Sequence, residues 1–100
     1  MDKTLYYINL YDYYGELLTS KQKFYFEAYY FNNLSLSEIS EEEGITRNAI
    51  YRQLKVAEDK LKYYEDKLEL LKKSKEIKKL IENIDENTKK QIRDRYRSSR

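Results

Sequence analysis

Residues 35–55 read SLSEISEEEGITRNAIYRQLK, and this stretch decides the fold. Ser35 and Glu38 stand in S-x-x-E spacing. In that spacing the serine hydroxyl accepts the N–H three residues on, and the glutamate reaches back to the serine N–H. A short helix therefore opens at Leu36 and runs to Glu43. Gly44 occupies the position where such a helix ends in a left-handed residue, a conformation that Cβ disfavours. Ile45 follows as a buried turn residue, and Thr46 caps a second helix that begins at Arg47. Leu36, Ile39 and Ser40 face inward from the first helix, and Ala49, Ile50 and Leu54 from the second. Two caps, one glycine and one apolar register agree on a single frame, that of a helix-turn-helix.

The same frame leaves Arg47, Asn48, Tyr51, Arg52 and Lys55 on the outer face of the second helix, and these are the candidate DNA-binding residues. Arg and Asn near a recognition-helix N-terminus suit guanine and adenine edges. Arg52 and Lys55 suit phosphates, which fix position without reading sequence. Opposing this is Glu41-Glu42-Glu43 on the first helix, whose charge repels phosphate. Net charge divides along the chain. Residues 1–46 carry three Lys against eight acids, whereas residues 47–100 carry seventeen Lys or Arg against ten. A basic half that contains the recognition helix fits a polyanionic partner, with much of the excess in the last twelve residues, KKQIRDRYRSSR.

Upstream, Tyr7, Leu10, Tyr11, Tyr14, Leu17 and Leu18 follow helical spacing, predicting an amphipathic helix from Thr4 to about Leu18. Leu5, Tyr6, Ile8 and Tyr13 lie off that stripe, so this helix is expected to meet two partners. Gly15 marks a close approach or a kink. Thr19 and Gln22 repeat the capping-box spacing, so a second helix opens near Ser20 and continues to about Phe31, where Asn32-Asn33 supplies a turn. Its aromatics, Phe24, Tyr25, Phe26, Tyr29, Tyr30 and Phe31, run almost all the way round, more than one small core can hide. Downstream, Ile50, Leu54, Ala57, Leu61, Tyr64, Leu68 and Leu71 form a heptad pattern. It predicts one long helix to about Lys73, packed against a second chain or back on the N-terminal helix. A further helix is expected from Lys75, with Ile77, Leu80, Ile81 and Ile84 on one face. The expected division is a helix-turn-helix domain over residues 1–74 and a C-terminal helix with a basic, fraying tail over residues 75–100.

Composition narrows the function classes. With no proline, two glycines and 38% charged residues, helix is the default and the fold class is all-α. Cysteine and histidine are both absent, which removes disulfides, thiolate metal sites, the commonest zinc ligand and the usual general base. There is no Gly-rich phosphate loop and no nucleophile motif, so neither an enzyme nor a cofactor is expected. No apolar run is long enough for membrane insertion, and a cytoplasmic protein is expected.

The stretch LYDYYGELLTSKQKFYFEAYYFNNLSLSEISEEEGITRNAIYRQLKVAEDKL, above all DYYGELLT and LSLSEI, resembles the YlxM family (UPF0122 type) of small bacterial proteins. Its helix-turn-helix part is similar to the region-four domain of bacterial sigma factors. The resemblance spans residues 5–72. It implies a cytosolic, all-helical homodimer with a sigma region-four-like helix-turn-helix, an N-terminal helix and a long C-terminal helical extension. It further implies a regulatory role linked, by gene neighbourhood, to the signal recognition particle. In sigma factors the positions matching Arg47, Asn48, Tyr51 and Arg52 face the major groove. Two expectations follow, a duplex-DNA-binding regulator and an adaptor for the particle's GTPase or RNA.

Overall fold

The computed structural model describes residues 3–83 together with 88, 90, 91 and 93. Its elements are α1 (Lys3–Tyr14), a 3₁₀ turn (Gly15–Leu17), α2 (Ser20–Tyr30), α3 (Leu36–Glu43), α4 (Arg47–Leu68) and α5 (Leu70–Glu82). No strand occurs among the described residues, and the all-α class stands. The expectations for Ile84, for residues 85–87 and for the end of the tail lie outside the described residues.

Local sequence sets each boundary. Both capping boxes form: the Thr19 hydroxyl accepts the Gln22 N–H while the Gln22 side chain accepts the Thr19 N–H, and Ser35 and Glu38 do the same. Asn33 takes a left-handed conformation (φ 58°) in the turn after α2, where Asn is among the few residues to do so cheaply. Gly15 marks the end of α1 rather than a kink within it. A Cβ there would lie 3.0 Å from the Tyr11 ring, so glycine lets that ring lie over the backbone. The 3₁₀ turn also rotates the chain, and Leu17, expected inside, is half exposed while Leu18 is buried.

Two compact units divide after Glu69. In the first, α4 is the central element against which α1, α2 and α3 pack. Tyr7, Leu10 and Tyr14 from α1, Tyr25, Phe26 and Ala28 from α2, Ile39 from α3, and Ile50, Leu54, Ala57 and Leu61 from α4 are buried. Phe26 lies between Tyr11 and Tyr30, with ring centroids 4.5 and 4.4 Å away. From Ile50 to Leu61 the heptad stripe is thus covered by the chain's own N-terminal helices. Leu5 and Tyr13 stay exposed, while Tyr6 and Ile8 are half-buried, so α1 meets less on its second side than its composition suggests.

The long helix expected to reach Lys73 ends at Leu68. Glu69 is left-handed (φ 55°) and its N–H closes the last turn on Glu65, after which α5 begins at Leu70. Burial along the stripe fades before the break: Leu61 is buried, Tyr64 half-buried and Leu68 exposed. No glycine or proline marks the stop, which is why the periodicity runs through it. α5 starts five residues earlier than the expected Lys75.

Candidate nucleic-acid interface

The geometry of residues 35–55 follows from a few local contacts. Gly44 ends α3 at φ 68°, with its N–H bonded to the Ser40 carbonyl. Nothing lies within 4 Å of where its Cβ would be, so conformation and not space demands glycine here. The Ser40 hydroxyl donates to the Ile45 carbonyl at 2.5 Å and ties the turn to α3. Thr46 then accepts the Ala49 N–H and opens α4. Ile39, Ile50 and Leu54 form a core with Tyr25 and Ala28 of α2, with Leu34, Leu36 and Ile45 packed at its margin. The helix-turn-helix is therefore bolted to α2.

All five candidate residues, Arg47, Asn48, Tyr51, Arg52 and Lys55, are exposed. At about 100° per residue they span an arc of roughly 140° on α4, beside the stripe of buried Ile50 and Leu54. Arg47 and Asn48 occupy the first turn, where free backbone N–H groups and the helix dipole favour anions. Arg52 donates from Nε to the Asn48 carbonyl at 3.4 Å, and Lys55 pairs with Asp59 at 3.3 Å. Both contacts are exposed, so each is worth about 1 kcal/mol or less and a phosphate can displace it. Glu41, Glu42 and Glu43 are exposed on α3, and the acidic run stays in water as a charged flank.

Tyr51 does more than its position in the sequence indicates. With Lys3, Thr4, Tyr29, Tyr30, Leu36, Lys55 and Glu58 it lines a cleft of about 270 Å³ beside the recognition face. Lys3 and Tyr29 thereby join the surface, although they come from the far ends of α1 and α2. Only tertiary packing brings positions 3, 29 and 51 together, so no local pattern signals them. At the cleft's inner side the Tyr30 hydroxyl donates to Glu58 at 2.5 Å. Burial, followed by the Glu58 carboxylate, pushes the Tyr30 phenol well above its ordinary value and keeps it protonated. The described residues contain no cluster of carboxylates able to hold a metal ion, and no helix among them is long and apolar enough to cross a membrane.

A small all-helical protein built on a helix-turn-helix, with a polar and basic outer face on its second helix, is the class this architecture defines. The comparisons narrow it: residues 1–98 match the UPF0122 family, helix-turn-helix proteins described as YlxM / p13 like, and the chain belongs to that family. It is 53% identical to a UPF0122 protein of Caldanaerobacter subterraneus over 85% of this chain and 73% of the relative. It is 44% identical to the UPF0122 protein YlxM of Bacillus subtilis over 86% of this chain and 78% of that one. With a relative from Listeria welshimeri the identity is 45%, over 85% and 78% of the two chains.

Proposed function

We propose that this chain is a DNA-binding regulatory protein of the cytoplasm, a homodimer that lays the first turns of α4 in successive major grooves and acts on transcription. One observation carries the proposal. Five side chains able to contact bases and phosphates share one exposed arc of a helix whose adjoining stripe is fixed in the core by Ile50 and Leu54. Arg47 and Asn48 read base edges, Tyr51 lies along the groove wall, and Arg52 and Lys55 hold phosphates. Binding of this kind weakens steeply as salt rises. Fluorescence anisotropy with genomic duplex fragments tests it: Arg52→Glu with Lys55→Glu abolishes binding and leaves helix content intact. No duplex binding by the unmodified chain at about 50 mM salt refutes the proposal.

A second reading is favoured by a different observation. Leu5, Tyr13 and Leu17 are exposed on and just after α1, a surface a DNA reader has no need of. In this reading the chain is an adaptor that binds the GTPase or the RNA of the signal recognition particle, with the helix-turn-helix as scaffold. Capture of either component by the purified chain supports it. Capture that survives the Arg52→Glu, Lys55→Glu change separates it from the first.

A further inference from the structure

Among the described residues, two apolar surfaces of opposite charge are exposed. The first is a groove of about 370 Å³ between α2 and α3, lined by Phe24, Glu27, Ala28, Phe31, Leu34 and Glu42 among others. Phe24 and Phe31 at its walls are 48% and 46% exposed. Residues 24–46 contain five Glu and not one Lys or Arg, so the groove is apolar inside and acidic at its rim. The second surface is one face of α5. Leu70, Ile77, Leu80 and Ile81 share a stripe and are 42%, 57%, 66% and 36% exposed. Residues 70–82 carry five Lys against two Glu; at about 100° per residue Lys73 lies within the stripe, between Leu80 and Ile77, and Lys78 at its edge.

We propose that α5 of one copy docks in the α2–α3 groove of a second copy. Ile77, Leu80 and Ile81 present the i, i+3, i+4 anchors by which an amphipathic helix fills an apolar groove. The lysine stems of Lys73 and Lys78 extend over the phenylalanine rings while their ammonium groups reach the glutamates at the rim. The choice of occupant rests on what each candidate leaves undone. A nucleic acid matches the lysines and leaves Ile77 and Leu80 in water. An anionic lipid surface takes α5 and leaves the acidic groove empty. A second copy covers both surfaces with matched charge. A single short helix in one groove falls short of the ~800 Å² per partner of an ordinary specific interface. In a two-fold pair each copy both gives and receives a helix, and the buried area doubles. The proposal rests on the homodimer of the proposed function and names its interface, which uses none of Arg47, Asn48, Tyr51, Arg52 and Lys55, so loss of duplex binding alone leaves it standing.

The test uses the full chain. A photo-crosslinking amino acid at position 80, in a mixture of light and heavy isotope-labelled chains, is expected to yield light–heavy crosslinks to residues 24–42. Sedimentation equilibrium is expected to show a dimer whose Kd rises about tenfold or more in Ile77→Glu with Leu80→Glu, helix content unchanged. Lys73→Glu with Lys78→Glu, and separately Glu27→Lys with Glu42→Lys, each weaken self-association. An equimolar mixture of those two variants restores it, because both contacts are then again between opposite charges. A monomer at about 100 µM, crosslinks confined to one chain or to other regions, or a dimer indifferent to all three variants overturns the proposal.

Discussion

The helix-turn-helix and the tyrosine-rich pair α1–α2 share α4 as a support, yet different forces hold them to it. In the helix-turn-helix, aliphatic side chains meet in a small interface, and the backbone ends are met by Ser35, Gly44 and Thr46 within a few residues. In α1–α2 the packing is aromatic: Phe26 between Tyr11 and Tyr30, and Tyr14 against Tyr64. Tyrosine buries much area and brings a hydroxyl that needs a partner. α4 supplies the partners from Glu58 for Tyr30 and from Glu65 for Tyr14, at 2.5 and 2.6 Å. One region is specified by rules local to each residue, and the other by contacts between residues far apart in the chain.

Breaking the aromatic side has the largest expected effect. Phe26→Ala removes a fully buried ring between two others and is expected to cost about 3–5 kcal/mol, a large share of the stability of a domain this size. Urea denaturation measures it. On the aliphatic side Ile50→Ala, at an equally buried position, is expected to cost about 2–4 kcal/mol by the same measurement. Gly44→Ala forces a Cβ into the left-handed region, and Thr46→Ala removes a cap. Each is expected to cost about 1 kcal/mol, and the two to add nearly independently of changes in α1.

The hydroxyls sharpen the comparison through pH. Burial is the largest cause that raises the phenols of Tyr6, Tyr11, Tyr25 and Tyr30, and a hydrogen bond from Lys62 to Tyr7 raises the lysine. A raised folded value means the folded chain keeps a proton that the unfolded chain loses. The stabilisation is whole below the unfolded values, about pH 10, and is lost as pH climbs through the folded ones. The urea midpoint is therefore expected to fall above about pH 10, and Tyr30→Phe to flatten that fall. The smallest stability effect belongs to Arg52→Glu with Lys55→Glu. These exposed changes are expected to move the midpoint within about ±0.5 kcal/mol while removing the duplex binding proposed for this face.

The same division explains what the sequence made legible. Ser35, Glu38, Gly44 and Thr46 act on their own neighbours, so the bounds of α3 and the start of α4 follow from spacing alone. The outer face of α4 follows from them in turn, and with it the exposure of all five candidate residues. Which aromatics of α2 are buried did not follow. Tyr25 and Tyr29 have the same side-chain chemistry and stand on a helix aromatic almost all the way round, and they separate only because tertiary packing covers Tyr25. Leu17 was misplaced because a 3₁₀ turn does not keep helical phase. The end of α4 was overrun because Glu69 breaks it without a breaker residue, through backbone conformation alone. Lys3 and Tyr29 beside Tyr51 could not be seen, since nothing local joins them.

Glu58, Lys62 and Glu65 lie along one side of α4, and in that order they meet Tyr30, the ring of Tyr7, and Tyr14. Stacked rings tolerate sliding, because a phenyl face offers much the same contact over an ångström or so of travel. Short hydrogen bonds to carboxylates do not. A slip of α1 or α2 by one residue would take that helix's hydroxyl away from its acceptor and leave a carboxylate poorly solvated. The row works as a vernier, selecting one alignment among several that are nearly equal in apolar contact. Loss of all three contacts would thus show less in melting temperature than in uniqueness: a chain still helical and still compact, with NMR signals of its aromatic rings broadened by exchange among alignments.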